Sequence, residues 1–225
     1  MANETPADAT TLREMAVARS LDPARLRAEQ RVQRFLDAAM ELMRNSPDRE
    51  FTVQEVVERS GQSLRSFYQY FAGKHELLLA LFEESVRSSA EHVLTQIEPL
   101  SDPLERLHVF TSEYYRLCRP SRPGKDDSAN AASVMADFAQ QLLTKHPTEA
   151  ARAFSPLVTI YEGLLDDAAS AGAIRTGLDH RRITGVVLQA VMFNTFADTI
   201  SASPVGAPES SAEGLWSLLI DGLAA

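Results

Sequence analysis

The sequence predicts an all-α protein: a small N-terminal three-helix unit of the helix-turn-helix kind, joined by one long helix to a larger helical part. Three observations carry this expectation. Apolar residues recur at i, i+3, i+4, i+7 and i+8, as in Phe35, Ala38, Ala39, Leu42 and Met43, the rhythm of a buried helical stripe. Helix-start chemistry repeats along the chain: Thr52 stands three residues before Glu55, Asp102-Pro103 precedes Glu105, and Asp179 and Pro208 precede further apolar runs. No segment between Leu81 and Ala225 alternates apolar and polar residues between turns, as a half-buried strand would.

Length and composition set the bounds. The 225 residues suffice for one large or two modest domains, and a hydrophobic content of 44% supports a real core. No apolar run reaches the roughly 18 residues of a membrane span, and no apolar stretch of a secretory signal follows Met1. The single Cys118 excludes an intramolecular disulfide and argues against a cysteine zinc site. A soluble, cytoplasmic protein is expected. The net charge of −9 is unevenly spread: residues 1–80 hold 11 basic and 12 acidic side chains, and residues 81–225 hold 11 and 19. A near-neutral first part can still turn a basic face to phosphates, and the acidic second part would be repelled from a duplex.

Residues 1–22 have little apolar content and are expected to form a flexible tail, disordered or a frayed helix, with Asp22-Pro23 reading as a helix start. Arg25, Arg27, Arg31 and Arg34 follow, several on one side. A solvated face is the commoner meaning of such a run; beside a DNA-reading helix, contact with phosphates or the minor groove is the expectation. The helix carrying Phe35 to Met43 ends by Ser46-Pro47.

Thr52 and Glu55 form a capping box, and Val53, Val56 and Val57 share one face of the helix it opens. Ser60-Gly61 closes that helix, since glycine accepts positive φ, and Ser63 caps the next. Two helices this close must cross, and in the DNA-binding version of the motif the second one enters the major groove. Phe67 and Phe71 are its inward anchors, leaving Leu64, Arg65, Ser66, Tyr68 and Gln69 outward or sideways. Arginine can grip guanine, glutamine adenine, and leucine a thymine methyl; Tyr68, Tyr70 and Lys74 suit phosphates. With Thr52 and Ser63 at the two helix starts, these residues make up the expected DNA-binding set.

The run Gly61-x-Ser63-x-x-Ser66-Phe67-Tyr68-x-Tyr70-Phe71-x-Gly73-Lys74-x-Glu76-Leu77 resembles the helix-turn-helix pattern of the TetR family of bacterial transcriptional regulators, over roughly residues 31–82. The chain departs from the family pattern in three places. Gln62 stands where an apolar residue is usual, Phe67 where Leu or Ile is usual, and residues 45–49 replace a glycine-containing turn. The resemblance implies a DNA-binding domain at 23–73 and an effector-binding and dimerisation domain at 74–225. It also implies that the helix from Lys74 to about Ile97, with Leu77, Leu78, Leu81, Phe82 and Val86 inward, transmits ligand occupancy to the reader helices.

Helices are expected from Pro103 to Arg119, from Asn130 to Lys145, from Pro147 to Gly172, from Asp179 to about Ser201 and from Pro208 to Leu223, with a polar loop over residues 119–127. The last two are apolar on more than one stripe. A two-fold, four-helix interface would cover Val187, Ala190, Val191, Asn194, Trp216, Leu219, Ile220 and Leu223, burial within one chain being the alternative. Phe110, Tyr114, Phe138, Phe154, Tyr161, Phe193 and Phe196, with Met135 and Met192, are each core by default. Together with polar groups such as Gln141, they would line the effector pocket that the resemblance implies.

Enzymatic chemistry finds no support. His75, His92, His108, His146 and His180 lack metal-ligand spacing, no phosphate loop or nucleophile elbow appears, and Asp126-Asp127 and Asp166-Asp167 read as solvated charges. No cofactor and no metal are expected. The expected function is a ligand-responsive, homodimeric DNA-binding regulator, a repressor released from a palindromic operator by a small apolar or amphipathic effector. A helical effector-binding or protein-interaction module that no longer reads DNA is the competing reading.

Overall fold

The computed structural model describes the backbone of residues 12–45, 50–118, 128–200 and 208–223, and the side chains of 23–45, 50–118, 134–193 and 212–223. Nine helices make up the regular structure of the described residues: α1 (Leu12–Asn45), α2 (Val53–Ser60), α3 (Leu64–Tyr70), α4 (Lys74–Ile97), α5 (Pro103–Cys118), α6 (Ser128–Lys145), α7 (Pro147–Ser170), α8 (His180–Ile200) and α9 (Pro208–Leu223). The chain divides into two compact units, one comprising residues up to Leu42 and Phe51–Leu77, the other Met43–Glu50 and Leu78–Ala225. No helix among the described residues is long and apolar enough to cross a membrane.

The core of the first unit is a trio of rings. Phe35 of α1 meets Phe67 edge-on at 5.4 Å and Phe71 at 6.2 Å, and Phe67 and Phe71 lie 5.4 Å apart, separations at which aromatic pairs attract beyond their burial. Val56 and Val57 bring the inward face of α2 into the same unit, and an Arg59–Glu41 ion pair at 2.5 Å ties α2 to α1. The helix start expected at Pro23 is corrected: α1 begins at Leu12 and runs through that proline. One lost backbone bond is tolerated there because the flanking Ala, Arg, Leu and Glu residues are good helix formers.

In the second unit α7 packs on α5, α6 and α8, and α5 also meets α8 and α9. Phe82 of α4 packs edge-on against Phe154 of α7 at 5.2 Å and lies 6.2 Å from Phe138 of α6. Polar contacts join these helices: ion pairs Arg152–Glu83 at 2.8 Å and Arg106–Asp167 at 2.9 Å, and hydrogen bonds between His92 and Glu113 at 2.9 Å and between His180 and Asp166 at 2.5 Å. Asp166 is thus held by His180 and Asp167 by Arg106, whereas Asp126 and Asp127 lie outside the described residues. On α9, the Trp216 ring packs against His108 of α5, tilted by 42° with centroids 5.0 Å apart. Asp102 and Asp179 cap α5 and α8, accepting from the backbone N–H groups of Glu105 and Arg182 at 2.8 and 3.0 Å. Gly172 leaves α7 at φ 72°.

The residues expected at an interface divide by their burial within one chain. Val187 and Val191 are only 2% and 1% exposed within a single chain, as is Leu223 at 7%. The stripe containing Val187 and Val191 faces this chain's own core, because α5 and α7 cover it. Val186 and, on α9, Leu218 remain open, at 59% and 73%. Ala190, Leu219, Ile220 and Trp216 are half-buried, and the side chain of Asn194 lies outside the described ones.

At the centre of this unit the Tyr161 hydroxyl is buried beside Thr111 and makes no well-formed hydrogen bond among the described residues. Burial pushes the phenol up to about 12, partly offset by its neighbour Thr111, whose own hydroxyl donates to the Leu107 carbonyl. Above pH 10 the unfolded chain ionises first, so stability holds below that pH and falls as pH rises toward 12, by about 1.4 kcal/mol per unit from this group. Urea unfolding between pH 8 and 11 checks this. Tyr161→Phe is expected to match or exceed the parent at pH 8, where it removes an unpaired polar atom, and to lose less stability above pH 10. A loss of more than about 1 kcal/mol at pH 8 would show that the hydroxyl has a partner.

Candidate nucleic-acid interface and effector groove

The reader helix is set by three local devices. The Thr52 side chain accepts from the Glu55 N–H at 3.2 Å while the Glu55 carboxylate accepts from the Thr52 N–H at 2.8 Å, so α2 starts in a complete capping box. Gly61, at φ 64°, and Gln62 donate back to the Glu58 and Val57 carbonyls, both at 3.3 Å, the bond pair of a Schellman motif. The Ser63 Oγ accepts from the Ser66 N–H at 3.0 Å and starts α3. On the far side, the Glu76 carboxylate accepts from the Ala72 N–H at 2.7 Å, fixing the turn into α4. Glu76 is a positioning residue that the sequence reading used only as part of a motif; a glutamate in the first turn after glycine is the signal that marks it.

Leu64, Arg65, Tyr68 and Gln69 are all exposed. At 100° per residue they share an arc of about 140°, opposite the face that carries the fully buried Phe67. The Arg65 guanidinium makes no ion pair among the described residues. Two residues of the expected DNA-binding set leave this arc: Ser66 and Tyr70 are half-buried, with the Ser66 Oγ enclosed and unpartnered, because seating Phe67 turns their side of a seven-residue helix inward. Thr52 and Ser63 are exposed, with their side chains engaged as caps. Lys74 is half-buried and holds its ammonium 4.7 Å from the centre of the Phe51 ring, a cation–π distance. On α1, Arg25 pairs with Glu29 at 2.7 Å, while Arg31 and Arg34 are exposed without an ion pair among the described residues.

The second unit contains a groove of about 410 Å³ between the end of α6, the N-terminal half of α7 and the first turns of α8. Leu143, Pro147, Ala150, Ala151, Phe154 and Val158 form one wall, and Arg181, Arg182, Gly185, Val186, Leu188, Gln189 and Met192 form the other. Of the residues expected to line a pocket, Phe154 and Met192 are here. Phe110, Tyr114, Phe138 and Tyr161 are instead packed into the core, Phe110 lying 4.8 Å from Tyr161 and 6.2 Å from Tyr114, so their rings leave no room between them. Tyr114 also touches Cys118, whose thiol burial pushes up to about 12. Gln141 is exposed, Met135 and Phe193 are half-buried, and the Phe196 side chain lies outside the described ones. The arginine pair and Gly185 were not among the expected lining residues; the basic doublet Arg181-Arg182, two residues after the Asp179 cap, was the available signal.

A capped helix-turn-helix whose second helix turns a polar arc outward, followed along the chain by an all-helical unit, defines a helix-turn-helix DNA-binding regulator. Residues 35–81 match the family model described as bacterial regulatory proteins, tetR family, so this stretch is a helix-turn-helix domain of the TetR kind. It is 22% identical over 167 residues to the fatty acid metabolism regulator protein of Bacillus subtilis (strain 168), covering 74% of this chain and 80% of that one. Among solved structures, the transcriptional regulator FadR from Bacillus subtilis in complex with stearoyl-CoA superposes with a TM-score of 0.66 at 19% identity, over 84% of this chain and 98% of that one. AibR in complex with isovaleryl coenzyme A and operator DNA does so with a TM-score of 0.55 at 19% identity, over 84% and 98%. At these identities the solved structures speak for the fold.

Proposed function

We propose that this protein is a cytoplasmic, homodimeric repressor, released from a palindromic operator when an acyl-coenzyme A thioester occupies its second unit. The observation that carries the DNA half is the outward arc of Leu64, Arg65, Tyr68 and Gln69 on a helix locked at both ends. Thr52, Ser63 and Lys74 flank the arc and serve as phosphate contacts, which position the helix without reading sequence. For the effector, two relatives of the same fold carry coenzyme A thioesters, and the groove here is apolar along most of its walls with arginines at one end. The proposed division of labour places DNA binding in residues 23–73 and effector binding with dimerisation in residues 74–225. Val186, Ala190 and Leu218 supply the apolar surface for a two-fold partner, and two reader helices then address two half-sites.

The mechanism is linkage. An effector that favours the conformation with misplaced reader helices lowers operator affinity, and the operator lowers effector affinity by the same factor. The test is selection of bound duplexes from a random pool, followed by titration of the recovered operator complex with long-chain acyl-coenzyme A. Recovery of a palindrome is expected, with release corresponding to a roughly 5- to 150-fold loss of affinity, the usual range of such coupling. Recovery of no sequence above background would favour the interaction-module reading.

A further inference from the structure

We infer that the groove beside α8 holds one unbranched apolar chain lengthwise, its anionic head against Arg182 and its tail toward Met192. This rests on the effector reading above and adds the direction of the ligand and the residues that select it. Arg181 lies 3.6 Å from Glu162, late in α7, whereas Met192 shares the groove with Pro147 at the start of α7. The two helices are therefore antiparallel along the groove, and the ten residues from Arg182 to Met192 span about 15 Å. An extended chain advances roughly 1.2 Å per bond, by the spacing of extended backbone, so about a dozen carbons fill that length.

The charge at the Arg182 end is unbalanced in one direction. Asp179 is committed to capping α8, Asp166 to His180 and Glu162 to Arg181. Arg182 alone makes no side-chain ion pair among the described residues, and a guanidinium takes a carboxylate or a phosphate through two parallel hydrogen bonds. Gly185, one turn further on, lines the groove and faces open space: a Cβ there would meet nothing within 4 Å, so a larger side chain can extend into the passage. The shared chemistry is an anionic head on a single chain, supplied either by a free fatty acid or by a coenzyme A thioester.

The test uses the full chain and calorimetric titration with dodecanoate and with dodecanoyl-coenzyme A, alongside sedimentation to follow the dimer. Gly185→Leu places a good helix former in a helix and fills the passage. It is expected to lower affinity at least about tenfold, with melting temperature and oligomeric state unchanged. Arg182→Gln is expected to lower affinity by about tenfold and to flatten its salt dependence. Binding of dodecanoate by the parent identifies a carboxylate head, and binding of the thioester alone identifies the coenzyme; either supports the proposal. Parent-like affinity in both variants overturns the placement while leaving the effector reading intact. Loss of the dimer in Gly185→Leu also overturns it, making the groove part of a copy-to-copy interface. A parent protein that binds neither probe overturns the placement and the acyl effector together.

Discussion

Phe67→Ala is expected to unfold the helix-turn-helix unit at room temperature. Phe67 is fully buried, and its ring is the member of the trio that meets Phe35, Phe71 and Tyr68, all at 5.4 Å. Truncating a buried phenylalanine costs about 3–5 kcal/mol, a large part of the roughly 5–15 kcal/mol that holds a whole domain together. The loss falls on a unit with few other large apolar side chains in its core: Phe35, Phe51, Phe71, Leu77 and a handful of valines, alanines and leucines. Helical ellipticity in urea measures it, with Phe67→Leu, the residue type usual in the TetR pattern, expected to lose less. A Phe67→Ala chain that melts within about 1 kcal/mol of the parent would mean that the rings do not form the core.

Arg65→Ala is expected to leave stability alone and to relax base preference at one position of each half-site. Its guanidinium is exposed and makes no ion pair among the described residues, so the fold loses nothing with it. A bidentate contact to a base is worth about 1–3 kcal/mol of discrimination, and a lysine there would not reproduce the fork. Competition binding against operators varied at each position makes the measurement. Equal weakening across all sequences would turn Arg65 into a phosphate contact.

What was legible in the sequence was what acts over a few residues. Thr52 with Glu55, Gly61, Ser63 and Asp179 do in the structure what their chemistry implies, because a cap needs partners no more than four positions away. The spacing of Phe67 and Phe71 gave the inward side of α3 for the same reason. Which apolar stripe faces which neighbour is decided by helices far apart in sequence. Val187 and Val191 have the same periodicity as an interface stripe, and only the positions of α5 and α7 show that their own chain already covers them. The aromatic side chains of α5 and α7 mislead in the same way, since a pocket wall and a packed core share one composition. Pro23 misled for a local reason: a proline and a strong helix-forming context competed, and the context won.

The packing of Trp216 against His108 has a spectroscopic consequence. Trp216 is the chain's one tryptophan, and both rings belong to the second unit. Indole emission therefore reports when α9 leaves α5 and has no tryptophan of the helix-turn-helix unit to report on. A fluorescence melt and a dichroism melt of this protein observe different parts of it, and their difference is a direct signal of the reader unit.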